Sequence, residues 1–233
     1  MTQPPLNVPR DAADGPQKPG RRLLDAFAVM DRLRSPGGCP WDAEQTHTSL
    51  LRYLIEECYE LVEAVELGDS AAIREELGDV LLQVLFHARI AAETAKPDGG
   101  FDIDDVAGDL VDKLVRRHPD VFGPAAGPVQ RGSVQTAADQ QLRWDELKKT
   151  EHGRSQVLDG VAFGQPSTAL AGKLGARAAK FDIEVSPPTG ESAAEAIFRI
   201  AYAAGARGED PESALRAVAL THAKALAAAQ LSP

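Results

Sequence analysis

Apolar residues recur at spacings of three and four along most of the chain, the period of a helix with one buried face. Leu23, Leu24, Phe27, Met30 and Leu33 mark a first helix that begins at Arg21, and Ser35-Pro36-Gly37-Gly38 ends it. A short loop, CPWDAEQTH, follows. A second helix is predicted over residues 48–67, with Leu50, Leu51, Leu54, Leu61, Val62 and Val65 as its apolar stripe. Gly68 and Asp69 stop it, and Asp69 or Ser70 can cap a third helix over 71–93, with Leu77, Val80, Leu81, Val84, Leu85 and Ile90 expected inside. After a loop at Lys96-Pro97-Asp98-Gly99-Gly100, a fourth helix over 104–117 carries Val106, Leu110 and Leu114, and His118-Pro119 ends it. No segment sustains alternation of period two. The expected fold class is therefore all-α, a helical bundle with no sheet.

The pattern breaks in two places. Residues 1–20 hold five of the sixteen prolines and few large apolar residues, which predicts a disordered tail. Residues 123–141 read as a linker, followed by a short amphipathic helix, LRWDELKK, and a further loop. Helical periodicity returns over 168–181 and 191–229, now rich in alanine. This organisation predicts a tail (1–20), a first domain (21–150), a linker (151–167) and a smaller helical domain (168–233).

Charge narrows the possible partners. The chain has 25 basic and 35 acidic side chains, a formal net charge of −10. That balance argues against a nucleic-acid binder or a protein held on an anionic membrane. An anionic small substrate stays open, because a bound metal reverses the local sign. Cys39 and Cys58 form no CxxC, so neither a disulfide framework nor a zinc site is indicated. The N-terminal residues have no apolar signal core, and no apolar run approaches membrane-spanning length. A cytoplasmic protein with reduced thiols is expected, with Cys58 packed as a small residue. His47, His87, His152 and His222 show no ligand or triad spacing and read as structural or surface residues.

The acids carry the strongest chemical signal. Between Glu56 and Asp79 stand nine acids (Glu56, Glu57, Glu60, Glu63, Glu66, Asp69, Glu75, Glu76, Asp79) and one base, Arg74. Glu57 and Glu60 are three apart and share a helix face, as do Glu76 and Asp79. Gly68 lies midway, so each pair sits roughly 14 Å along its helix from the turn. An antiparallel hairpin folded at Gly68 brings the four carboxylates level, with Glu56 alongside. Hard oxygen donors without His or Cys suit Mg²⁺, or Mn²⁺, better than zinc. Such a face repels itself unless something positive sits on it.

On the fourth helix Lys113 and Arg117 lie four apart, with Arg116 beside them. Opposite a metal cluster they would form an electrostatic clamp for a polyphosphate; alone they would be a solvated helix end favoured by the macrodipole. Trp41 and Trp144 each stand in a polar stretch. Either could plug the bundle or cover a substrate base, and for Trp41 plugging is the expectation.

Taken in order, GGCPWDAEQTH, YLIEECYELVEAV, REELGDVLLQVLFHARIA, DKLVRRHPDVFG and RWDELKK resemble the MazG family of all-α nucleoside triphosphate pyrophosphohydrolases over about residues 22–150. The resemblance implies Mg²⁺-dependent hydrolysis of (d)NTPs to monophosphate and pyrophosphate. It also implies a four-helix core completed by dimerisation, or a tetramer, with a homodimer expected. Carried over by position, Glu57, Glu60, Glu76 and Asp79 look like metal ligands. Lys113, Arg116 and Arg117 look like the phosphate-contacting element, and Trp144 falls in the segment that closes over substrate. Glu56 or Glu57 is the expected acid that orients or deprotonates the attacking water.

The C-terminal part resembles a shortened second copy of that domain. EELGDVLLQVLFHAR (75–89) aligns without gaps with ESAAEAIFRIAYAAG (191–205), but Glu76 becomes Ser192 and Asp79 becomes Glu195. The second copy is therefore expected to lack a metal site and to serve packing. From another functional class, the alternative is a non-catalytic helical module that senses nucleotide or binds a partner.

Overall fold

The structure is a computed structural model, and it describes residues 20–122, 136, 137, 139 and 156–230. Every regular element among these residues is helical. The chain divides into two compact units, Met1–Ala125 and Ala126–Pro233. The expected N-terminal tail, nearly all of the 123–141 linker, the LRWDELKK helix with Trp144, and His152 lie outside the described residues. None of the described helices is long and apolar enough to cross a membrane.

The N-terminal unit runs α1 (Arg21–Arg34), α2 (Pro40–Glu44), α3 (His47–Leu67), α4 (Ser70–Ala91), a 3₁₀ turn (Lys96–Asp98), α5 (Ile103–Arg117) and α6 (Pro119–Phe122). Its centre is the α3–α4 hairpin. Thr46 and Ser49 cap α3 reciprocally, each side-chain oxygen accepting from the other's backbone N–H. At the far end Gly68 turns the chain with φ 70°, a left-handed conformation that costs glycine little. Asp69 then accepts hydrogen bonds from the N–H groups of Ala71 and Ala72 and starts α4. Only two residues separate the helices, so they must run antiparallel.

Met30, Leu50, Leu85 and Phe86 form the core, with Ala26, Tyr53, Leu81, Ile90 and Ile103 packed around it. Helices α1 and α5 both pack on α4.

Several expectations are corrected. CPWDAEQTH is not wholly loop: Pro40 fits the first turn of a helix, and Gln45 Nε2 donates to the Trp41 carbonyl at its end, which together stabilise α2. The Lys96–Asp98 loop is a 3₁₀ turn, and Pro119 opens α6 directly after α5. Leu77 and Val84, expected inside, are exposed, as are Leu51, Val62 and Val65 on α3. One hairpin with one layer of covering helices buries only one side of each apolar stripe. Cys58 is exposed rather than packed, because it lies about 100° around α3 from Glu57, which faces α4.

His47 and His87 are not lone residues. Their rings stack at 5.0 Å and 8°, and one Nδ1 donates to the other across 2.7 Å. This pair ties the first residue of α3 to α4.

The C-terminal unit contains α7 (Ser167–Phe181), α8 (Ala193–Ala206) and α9 (Pro211–Gln230). The single helical stretch expected over 191–229 is two helices, because Gly208 turns at φ 81° and Pro211 starts a new one. Helices α7 and α8 pack backbone to backbone: a Cβ on Gly205 would stand 1.8 Å from the Gly172 carbonyl oxygen. Small residues (Ala171, Ala201, Ala204) are buried around that contact.

The His47–His87 pair should make stability sensitive to acid. Burial and the neighbouring imidazole hold His87 below its ordinary value of 6.5. The folded chain then binds fewer protons than the unfolded one in the window just below 6.5. Stability is full above that value and is lost as pH falls through the window towards the folded value. In thermal melts His87→Asn, which retains a group near Nδ1, should show a flatter decline of Tm with acidification than the native chain. An unchanged slope would assign the acid sensitivity elsewhere.

A candidate carboxylate metal centre

The two-residue connection sets the register of α3 against α4, and that register brings acids together. Glu57 on α3 and Glu76 and Asp79 on α4 each present a carboxylate oxygen within 4.8 Å of the other two. All three are partly buried. Among the described residues this is the one place where three potential ligands meet. Glu60 is exposed beside them, close enough for its charge to act on both Glu57 and Glu76. Glu56 is exposed and adds to the repulsion on Glu57.

The electrostatics are one-sided. Burial first, then the charges of Asp79, Glu60, Glu76 and Glu56, push the Glu57 carboxyl above its ordinary value of 4.5. Burial, followed by Glu60, Asp79 and Glu75, pushes Glu76 up as well. No cause acting on either carboxyl lowers it. Structural carboxylates are usually held down by a cation or by N–H donors, as Glu93 is by Arg34. Three hard oxygen ligands with unrelieved repulsion fit a divalent, oxygen-preferring cation.

The other expected residues that are described stand on other helices. Lys113 and Arg116 are exposed on the last turns of α5, and Arg117 is partly buried there. Helix α5 packs on α4 but is a separate element. Trp41, on α2, is both plug and surface. Its indole meets Tyr53 edge-on at 6.0 Å and Phe86 at 6.4 Å, yet 49% of it is exposed. Tyr53 stands one turn before Glu57, and Phe86 two turns after Asp79.

Residues 45–122 match the MazG nucleotide pyrophosphohydrolase domain. The chain is 36% identical over 216 residues to the nucleoside triphosphate pyrophosphohydrolase/pyrophosphatase MazG of Thermotoga maritima, covering 82% of this chain and 79% of that protein. This chain belongs to the MazG family. It is also 50% identical over 214 residues to an uncharacterized 26.1 kDa protein of Streptomyces cacaoi, covering 91% and 84% of the two chains. A nucleoside triphosphate pyrophosphohydrolase of Mycolicibacterium smegmatis is 50% identical over 169 residues, 71% of this chain. The match spans only 48% of that mycobacterial protein. The MazG domain match contains the whole α3–α4 hairpin and α5, and so every acid of the cluster.

Sequence reasoning missed Arg34, Glu93 and the His47–His87 pair. Arg34 and Glu93 are 59 residues apart and in direct contact. No spacing rule links such a pair; only the tertiary fold does.

The raised carboxyls yield a test. A carboxyl with a raised folded value contributes stability that is fully present below about 4.5 and lost as pH rises through the folded value. The metal-free cluster therefore weakens the fold at neutral pH. Glu76→Gln should melt a few degrees above the native chain near pH 7.5 without metal and lose that advantage near pH 4. It should also lose any stabilisation that Mg²⁺ confers. A lower Tm at neutral pH would mean that Glu76 has a stabilising partner instead.

Proposed function

We propose that this chain hydrolyses nucleoside triphosphates to the monophosphate and pyrophosphate with Mg²⁺, or Mn²⁺ in its place, as cofactor. The observation that carries this reading is the meeting of Glu57, Glu76 and Asp79 across the α3–α4 hairpin, where burial and the neighbouring carboxylates together raise Glu57 and Glu76. Glu60 is the fourth proposed ligand. The names of the Thermotoga and mycobacterial relatives agree with it.

When bound, the cation would neutralise polyphosphate charge and acidify a water. The chain's own residues do the rest. Glu56, or Glu57 where it is not bound to metal, accepts the proton of the attacking water. The water oxygen bonds to the α-phosphorus as the bond from that phosphorus to the bridging oxygen breaks. Pyrophosphate leaves with the electron pair, and Lys113, Arg116 and Arg117, on the last turns of α5, are the proposed recipients of its charge. Trp41 offers an exposed aromatic face for the base; Trp144 is the second proposed substrate contact.

A homodimer is part of the same proposal. Leu51, Ile55 and Val62 form an exposed stripe on α3, and Leu110, Val111 and Leu114 another on α5. Covering such stripes with a second copy would complete a four-helix core. Residues 168–233 are proposed to be a shortened second MazG-like copy without catalytic acids, and neither nucleic acid nor membrane is a proposed partner. The net charge and free thiols suit work in the cytoplasm.

Incubation with (d)NTPs and Mg²⁺ should yield monophosphate and pyrophosphate, and Glu76→Ala should lower kcat/KM by roughly 100-fold or more. Diphosphate with free phosphate would place the scissile bond elsewhere. No turnover by a folded, metal-binding chain would favour the sensor or interaction module. In sedimentation the native chain should run at twice its 24.8 kDa mass, and Ile55→Glu should halve that value. A native monomer would sink the dimer.

A further inference from the structure

Helix α2 is five residues long, too short to hold its own conformation. Its place is set by Arg34 at the end of α1. The Arg34 side chain is 5% exposed. Its fork closes on Glu93, Nε to Oε1 at 2.7 Å and Nη2 to Oε2 at 2.9 Å. The remaining nitrogen, Nη1, donates to the backbone carbonyls of Asp42 and Gln45, the latter at 2.9 Å. Arg89 donates to the same Oε1 of Glu93 at 3.1 Å and to Asp31 at 2.8 Å. The Arg34 guanidinium also lies 5.8 Å from the centre of the Phe86 ring, which Trp41 meets edge-on. One buried cation thus joins the end of α1, Glu93 two residues past α4, and the carbonyls of Asp42 in α2 and Gln45 just after it.

This geometry bears on the substrate. Tyr53 and Phe86 place Trp41 on the side of the carboxylates away from Gly68, about 6–10 Å along the helix axes. That is a span a ribose together with its α-phosphate can bridge. Trp41 can serve a base only if α2 holds it there.

We propose that Arg34, locked by Glu93, is a positioning residue for the nucleoside end of the site: it fixes α2 and so fixes the exposed face of Trp41. The functional part rests on Trp41 being a substrate contact, as proposed above. Lysine is the informative replacement. It keeps the charge and can pair with Glu93, but a single ammonium cannot hold a carboxylate in a fork and two carbonyls at once.

The chain has two tryptophans, so Trp144→Phe leaves Trp41 as the sole emitter for fluorescence. In that background, before nucleotide is added, Arg34→Lys should red-shift Trp41 emission and increase its quenching by acrylamide. With Trp144 intact, Arg34→Lys should raise KM for the triphosphate roughly five- to twentyfold and leave kcat within about twofold. Unchanged emission and quenching in a folded Arg34→Lys chain would overturn the proposal, as would a fall in kcat with KM unchanged. If Arg34→Lys does not fold, Glu93→Gln carries the same two readouts, with the same outcomes for and against. Failure of the underlying reading is seen separately: Trp41→Ala with unchanged KM would show that Trp41 is no substrate contact, whatever Arg34 does to α2.

Discussion

Like charges held together are the constraint around which the N-terminal unit is arranged. Glu57, Glu76 and Asp79 meet across α3 and α4, with Glu60 close by, and burial followed by their mutual repulsion raises both Glu57 and Glu76. A hairpin left to itself would relieve this by letting its helices slide or splay. It is held instead at both ends. Gly68 and the Asp69 cap close one end with two residues. The Thr46–Ser49 cap and the His47–His87 pair fasten the other. Between them Leu50, Leu85 and Phe86 pack with Met30 into a dry core. The hydrophobic contact holds the carboxylates at a separation they would not choose, the preorganisation that the proposed cation site would need.

A second set of interactions works on the outside of the hairpin. Arg34, Glu93, Arg89 and Asp31 form a charged network in which Glu93 faces two guanidinium groups and is held below its ordinary value, first by its hydrogen bond from Arg34. The contrast with the inner acids is instructive. Glu93 has its cations supplied by the fold; among the described residues none acts on Glu57 or Glu76. The same residue type plays opposite parts, and only the presence of a partner distinguishes them.

The C-terminal unit is built on a different principle. Its α7–α8 contact relies on Gly175 and Gly205, where the backbones approach too closely for any side chain, while a Cβ on Gly172 would meet the Pro211 ring of α9. Such packing gains dispersion contacts at short range but leaves no room for inward-facing acids.

The chain's periodicity alone determined that the protein is helical, where α1, α3, α4 and α5 lie to within a few residues, and which acids share a helix face. Those are local properties, set by spacings of three and four and by cap residues adjacent in sequence. Gly68 halfway between two acidic pairs made even their convergence legible. The tertiary structure alone decided which positions of each apolar stripe are covered, since Leu81 is packed and Leu77 is not although both fit one helical pattern. It also decided that CPWDAEQTH holds a helix, that His47 meets His87, and that Arg34 reaches Glu93 and α2. The His47–His87 and Arg34–Glu93 contacts join residues 40 and 59 apart in sequence, where no local rule operates; the distance between two such groups is set by the packing of the whole hairpin against its neighbours.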